Sequence, residues 1–336
     1  MFNLPESRSI HFSRIGAIIA IVCLLWSGDI SAQQSGSSKS VVERTAPRGR
    51  TIAFRPLNDK NMKKGLKYQV FETTISGVSY GDTTLRDSLV TLNDVHLTKT
   101  TDGYLVSSTP KSVKRFVNSS ATEDPMSQLV VGITAKLHLN TTGSATDFTG
   151  LDAIQTKLNT LYPPDSAAAI MKSIAGSNVK MRVMAEWNGR LANLLNREMV
   201  IGDARFDTGQ IQLPNGHRLQ SFIVSRIEDT IRIQGVWHVK VRVTAATNPK
   251  DISTVSELPF RDILRGFKMA DSTLASYPMS KGAMIMKTEL LLEMNTLLLK
   301  TEEFSRTFYM EPELQNNQPV YTRTMSYQRS LRYQYQ

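Results

Sequence analysis

A few short patterns in the chain carry residue types that could do chemistry. Gly77-Val78-Ser79-Tyr80-Gly81 fits G-x-S-x-G, the strand-to-helix elbow that exposes a nucleophilic serine. A strand pattern precedes it, but Asp82-Thr83-Thr84 leads into more strand pattern and no helix, so the segment reads as a hairpin loop. Ser108-Thr109-Pro110-Lys111 fits S-x-x-K, yet Pro110 opposes the helical turn that would bring Ser108 to Lys111. His96, His138, His217 and His238 include no pair at the i, i+2 or i, i+4 spacing of metal ligands. His138 and His238 read as solvated residues on the polar faces of strands, and His217 follows a Pro-Asn-Gly turn. The acid pairs Glu302-Glu303 and Glu311/Glu313 read as solvated turn or tail residues. No Gly-rich phosphate loop is present. The sequence therefore names no catalytic residue, no cofactor and no metal ligand, and it favours a protein that is not an enzyme.

Binding without reaction is the better-supported chemistry. Met171, Met181, Met184, Met199, Met269, Met279, Met284, Met286 and Met294 gather in the second half of the chain. Methionine fills cores, and it also lines sites that accept variable apolar ligands. The residues chosen as lining a ligand pocket are Trp237, Val239, Val241, Met284, Met286, Leu290 and Phe267.

Strands must position most of these residues. From Ile231 to Val243 the odd positions Ile231, Ile233, Trp237, Val239, Val241 and Val243 are apolar, while Arg232, Gln234, His238, Lys240 and Arg242 are polar. A period of two predicts one long strand with a dry and a wet face. Arg218 to Ile227 reads as its partner, turning at Glu228-Asp229, after a turn at Pro214-Asn215-Gly216. Strand patterns also cover Leu66–Val70, Asp82–Thr100, Tyr104–Ser107 after the Thr101-Asp102-Gly103 turn, Leu129–Leu139 and Val179–Met184. The period shifts to 3.6 at Leu151, Ile154, Leu158 and Leu161, a helix with Thr149 as its cap and Pro163-Pro164 as its stop. Asp165 can cap a second helix through Ile174, and Trp187, Leu191, Leu194 and Leu195 share the face of a third. Phe260, Ile263, Leu264 and Phe267 give another. Gly282 to Met310 fits two strands turning at Asn295-Thr296, or a helix; we adopt the strands. Tyr321 to Tyr335 alternates, with Met325, Tyr327, Leu331, Tyr333 and Tyr335 on one side together with Arg323 and Arg329.

Residues 1–32 read as a secretory signal peptide: Arg8 and Arg14, an apolar run from Ile15 to Trp26, and a small-residue site at Ser31-Ala32. Cys23, the single cysteine, lies inside it, so the mature chain has no thiol or disulfide. The net charge is +10. Between Lys39 and Lys67 stand nine basic and two acidic residues, and Arg323, Arg329 and Arg332 follow Glu313 unopposed, so the basic character belongs to the two ends. Those ends suit an anionic surface or are a solvated linker. For an exported chain no nucleic-acid partner is expected. Residues 33–50 form a flexible basic linker, 51–310 a β-rich domain and 311–336 a terminal strand or tail. Echoes between Lys64–Tyr68 and Ile201–Phe206 suggest duplicated halves, about 51–148 and 177–310, around helices at 149–175.

The export signal, the Lys63–Tyr68 opening and the run from His138 to Ile154 (HLNTTGSATDFTGLDAI) together resemble an uncharacterised group of exported β-rich proteins of Gram-negative bacteria. The layout is also similar to the half-barrel lipoprotein-carrier architecture. The resemblance covers about residues 51–310; the first group offers no catalytic residues and the second likeness transfers no site. The expected fold is α+β: a curved, mainly antiparallel, half-barrel-like sheet with a few helices packed on one face. The expected function is a non-enzymatic envelope protein, periplasmic, outer-membrane-associated or secreted, that binds a lipid or lipidated peptide between sheet and helices. The alternatives are an assembly protein pairing with an envelope partner through strand edges or the Tyr-rich terminal strand, an outer-membrane barrel, and a serine hydrolase using Ser79.

Overall fold

The computed structural model describes residues 43–44, 51–53, 65–80, 83–123, 125–176, 179–188, 198–212, 218–269, 282–296, 298–315 and 318–336. The predicted signal peptide, the His217 turn and the Leu191–Leu195 helix lie outside them. The strands are β1 (Glu43–Arg44), β2 (Thr51–Ala53), β3 (Leu66–Tyr80), β4 (Thr83–Thr100), β5 (Gly103–Val117), β6 (Ser120–Thr122), β7 (Ala135–Leu139), β8 (Ala145–Thr149), β9 (Glu198–Val200), β10 (Ala204–Gln212), β11 (Arg218–Ile233), β12 (Val236–Ala246), β13 (Ala283–Glu293), β14 (Leu299–Gln315) and β15 (Gln318–Tyr335). The helices are α1 (Pro125–Leu129), α2 (Leu151–Leu161), α3 (Pro164–Gly176), α4 (Val179–Trp187), α5 (Pro249–Ser256) and α6 (Phe260–Phe267). Among the described residues no helix is long and apolar enough to cross a membrane.

The expected α+β architecture is present. One curved, unclosed antiparallel sheet of 13 strands runs in the order β1-β11-β12-β13-β14-β15-β3-β4-β5-β7-β8, with β10 on β11 and β6 on β5. A separate pair, β2 and β9, lies beside it. The last strand is central. β15 pairs with β14 along one edge and β3 along the other, so both of its edges are used and it joins the two halves of the chain. A Tyr-rich terminal strand waiting for a partner is therefore not what the sequence encodes. Tyr335 stacks on Tyr68 at 5.1 Å, and its hydroxyl donates to the Leu299 carbonyl at 3.0 Å.

Register assigns the faces. Val241, Leu290, Glu302, Leu331 and Glu72 lie opposite one another across β12, β13, β14, β15 and β3. Arg242, Glu289, Glu303, Ser330 and Thr73 form the adjacent row and so point the other way. The first is called the apolar face below and the second the polar face. On the apolar face of β3–β8, the row Leu66, Leu97, Val106, Leu137, Phe148 meets Ile154 and Leu158 of α2, Ile174 of α3, and Val179 and Val183 of α4. Each fully buried aliphatic chain there contributes about 1.5–3 kcal/mol. At the other end of the sheet α5 and α6 pack on the polar face, where Ile252 and Ile263 cover Val224 and Ala246. Each helix group thus covers one face of its own half, and the two faces are opposite.

Several local expectations change. The stretch Ile231–Val243 is a hairpin, not one strand: β11 ends at Ile233, and Gln234 and Gly235 turn with φ of 49° and 81°. Positive φ at two central residues is the geometry that matches strand twist. The turn sets Ile233 opposite Val236 and Ile231 opposite His238, so Ile231 and Ile233 lie on the polar face while Trp237, Val239 and Val241 lie on the apolar one: the odd row changes face at the turn. The Glu228-Asp229 turn is instead a bulge within β11. Val179–Met184 is helical, because Val179 and Val183, four apart, are the buried pair while Met181 is exposed. Leu129 ends α1, and strand starts only at Ala135. Thr149 ends β8, and the residue that starts α2 is Gly150 at φ 112°, where a Cβ would stand 2.8 Å from the Thr134 carbonyl oxygen. Helix α5 was not foreseen, although Asn248 accepts from the Lys250 N–H at 2.9 Å with Pro249 as first helical residue, a start signal written in the sequence. The segment after Gly282 forms the two strands β13 and β14, turning at Met294–Thr296.

Candidate functional site

The residues with catalytic types are not assembled for catalysis. Ser79 lies near the end of β3, its hydroxyl 3.0 Å from the Thr84 hydroxyl across the β3–β4 hairpin, where an elbow would need a helix. Ser108 is buried, and Lys111 binds Asp94 at 3.0 Å instead. His138 is exposed, as its alternation implies. His238 lies on the polar face as read but is buried, contrary to the expectation of a solvated residue, with Nδ1 2.9 Å from the Val236 carbonyl oxygen. Among the described residues no group of His, Cys, Asp and Glu could hold a metal ion.

The residues chosen for a pocket fall into separate clusters. Val239, Val241 and Leu290 pack with Ile52, Ile201 and Ile227 on the apolar face. Met284 and Met286 pack with Ala245, Ile223 and Phe308 farther along that face. Phe267 meets Phe222 at 5.0 Å and Phe206 at 5.2 Å, at the α5–α6 end of the sheet. Trp237 stands beside the hairpin turn, with the Arg232 guanidinium 5.9 Å from its ring.

The cluster at Met284 and Met286 extends into a wider strip. Across β13, β14, β15 and β3 run the rows Met286, Arg306, Tyr327, Ser76 and Met284, Phe308, Met325, Val78. Met286, Phe308, Met325, Tyr327 and Val78 are half-buried, and no helical residue among those described belongs to this cluster. The Arg306 guanidinium lies 4.9 Å from the Phe308 ring and 5.9 Å from each of Phe304 and Tyr327. Cation–π attraction holds it against the rings. The alternation of β15 already puts Met325 and Tyr327 on one side; Phe304, Arg306 and Phe308 follow the same period in β14 and are the functional candidates the sequence reading passed over.

Beyond Phe304 the strip ends in a sealed ionic cluster. Glu302, read as solvated from sequence, is 0% exposed, and Arg329 is 3% exposed. Arg329 Nη2 and Glu302 Oε1 are 3.7 Å apart, an ion pair too long for a hydrogen bond. Glu72 is equally buried and accepts from the Thr74 hydroxyl at 2.9 Å. Arg329 therefore cannot contribute to a basic surface at the C-terminal end.

The polar face treats charge differently. The buried Arg242 reaches Glu228 at 2.8 Å, Glu289 at 2.6 Å and Glu257 at 2.8 Å. Lys240 and Lys287 also bind Glu289, at 3.1 and 3.2 Å. Burial by itself would raise the Glu289 pKa, but hydrogen bonds from Arg242, Lys240 and Lys287 outweigh it and hold the value at about 2. Next to this network is a pocket of about 480 Å³ lined by Thr73, Ile75, Arg86, Lys287, Glu289, Glu303, Phe304, Ser305, Gln328, Arg329 and Ser330. Burial pushes the Glu303 carboxyl up, and Ser330 and Arg332 oppose that only in part.

No family model and no curated protein matches the chain. Among solved structures, one of lipovitellin describing its lipid–protein interactions aligns at a TM-score of 0.41 with 11% identity, over 82% of this chain and 26% of that one. The chain thus spans about a quarter of that protein's length. DynF from the dynemicin biosynthesis pathway of Micromonospora chersina aligns at 0.17 with 9% identity, over 92% of this chain and 94% of that one. Neither likeness bears on function.

Proposed function

We propose that the protein is a non-enzymatic, exported component of the cell envelope that holds an apolar, lipid-like ligand against the apolar face of β13, β14, β15 and β3. The observation that carries this reading is the strip of half-buried Met286, Phe308, Met325, Tyr327 and Val78, four strands wide. Methionine and aromatic side chains adapt to an acyl chain without one fixed shape. An acyl chain burying about 200 Å² of apolar surface there would gain about 5 kcal/mol. Arg306, held against three rings within the strip, gives that surface a positive charge beside its apolar side chains. Export rests on the pattern of residues 1–32.

Native mass spectrometry of full-length protein purified from its own host tests the reading. A co-purified lipid, lost in Met286→Glu, is the expected result. A bare protein that also leaves the emission of a fluorescent fatty acid unchanged would overturn it.

A further inference from the structure

The pocket on the polar face has a chemistry that the apolar ligand does not use. Its groups divide into those already engaged inside the protein and those that are not. Glu289 belongs to the first kind, since three cations surround it. Among the described residues the guanidinium of Arg86 and the side-chain amide of Gln328 have no hydrogen bond or ion pair. Thr73 is 5% exposed, and its hydroxyl oxygen has no partner. A buried hydroxyl left unpaired costs on the order of 1–3 kcal/mol, so an unmet demand sits in the floor of an open pocket. Those three groups are donors, and they suit an anionic oxygen group. On the opposite wall Glu303, an exposed residue whose carboxyl end is partly enclosed by the pocket and accepts from Ser330, is the anionic group. A plain anion would meet the Glu303 carboxylate, and a plain cation would leave Arg86 without a counter-charge.

We infer that this pocket binds an extended zwitterion, a short peptide with free ends, whose carboxylate takes Arg86, Gln328 and Thr73 and whose ammonium takes Glu303. Three strand spacings of about 4.8 Å separate β14 from β4, and Arg86, level with Gly77, lies four residues along the strands from the Glu303–Ser330–Thr73 row, so the two residues stand about 19 Å apart on the sheet. A tripeptide, about 10 Å when extended, leaves about 4–5 Å at each end for the two side chains to reach it, and a single amino acid is too short. The pocket volume of about 480 Å³ is in the range of small-ligand sites. The inference is independent of the lipid reading, because the pocket opens on the opposite side of the sheet.

Isothermal titration of the full-length protein with triglycine, N-acetyl-triglycine, triglycine amide and glycine tests it. Triglycine should bind with a micromolar to millimolar Kd, and glycine at least tenfold more weakly. Arg86→Gln should weaken triglycine tenfold or more and leave far-UV circular dichroism unchanged, since Arg86 is exposed. Glu303→Gln should weaken triglycine but not N-acetyl-triglycine, which has no ammonium to lose. No heat with any peptide at millimolar concentration overturns the proposal. So does triglycine binding that is indifferent to Arg86→Gln.

Discussion

Strands β13, β14, β15 and β3 carry charged residues on both faces, and the two faces handle them in opposite ways. On the apolar face Glu72, Glu302 and Arg329 are sealed from water. On the polar face Glu303, with Arg86 of the neighbouring β4, lines an open pocket beside the Arg242 network. Adjacent residues divide between them: Glu302 faces one way and Glu303 the other, as do Glu72 and Thr73. A buried charge pair adds little net stability over a packed apolar pair, but losing one member leaves a charge stranded. The sealed cluster lies where the β3–β8 half meets the β11–β14 half, between Leu331 of one core and Leu290 of the other. Its cost is the kind that specifies register: a slip of one residue along β15 would put Arg329 on the wrong face.

The largest expected effect comes from the sealed side. Arg329→Met should cost about 3–5 kcal/mol in urea denaturation, and adding Glu302→Leu should restore at least half of that. If Arg329→Met costs no more than a surface substitution, the sealed cluster is not the joint between the halves. Next is ligand choice. Phe308→Ala should lower affinity for a fluorescent fatty acid about tenfold, close to 1.4 kcal/mol, while Arg86→Gln leaves it unchanged. An equal loss in both variants would mean that the faces are not separate sites.

A smaller effect separates the faces by pH. The Glu289 carboxyl titrates at about 2 in the folded protein against its ordinary 4.5. A depressed folded value contributes stability that is complete above about 4.5 and is lost as pH falls toward 2. The stability gap between the wild type and Glu289→Gln should therefore shrink over that window in urea titrations at successive pH values. A constant gap would break the assignment. The smallest effect is Lys111→Met, which removes an exposed pair with Asp94 and should change stability by less than about 1 kcal/mol.

Much of the fold was legible because alternation is local. The dry row Ala135, Leu137, Leu139 and the apolar side of β15 follow from residue order, as does the helical stripe of Ile154 and Leu158. The Gln234-Gly235 turn was hidden because apolar residues stay on odd positions on both sides of it and Gly235 falls on one of them, although the turn sets Ile233 opposite Val236 and so moves the odd row to the other face. The chosen pocket residues share parity or type but not a cluster: Phe267 of α6 and Val241 of β12 belong to opposite faces because α6 packs on the polar side.

Residue order by itself determined which side chains travel together on each strand and helix, since the periods of 2 and 3.6 are properties of the backbone. Only tertiary structure decided that β15 lies between β14 and β3, that the helix groups cover opposite faces, and that Glu302 is sealed while Glu303 meets a pocket. Those outcomes depend on pairings between residues more than 200 positions apart, such as Arg329 opposite Thr74, and no local pattern encodes them.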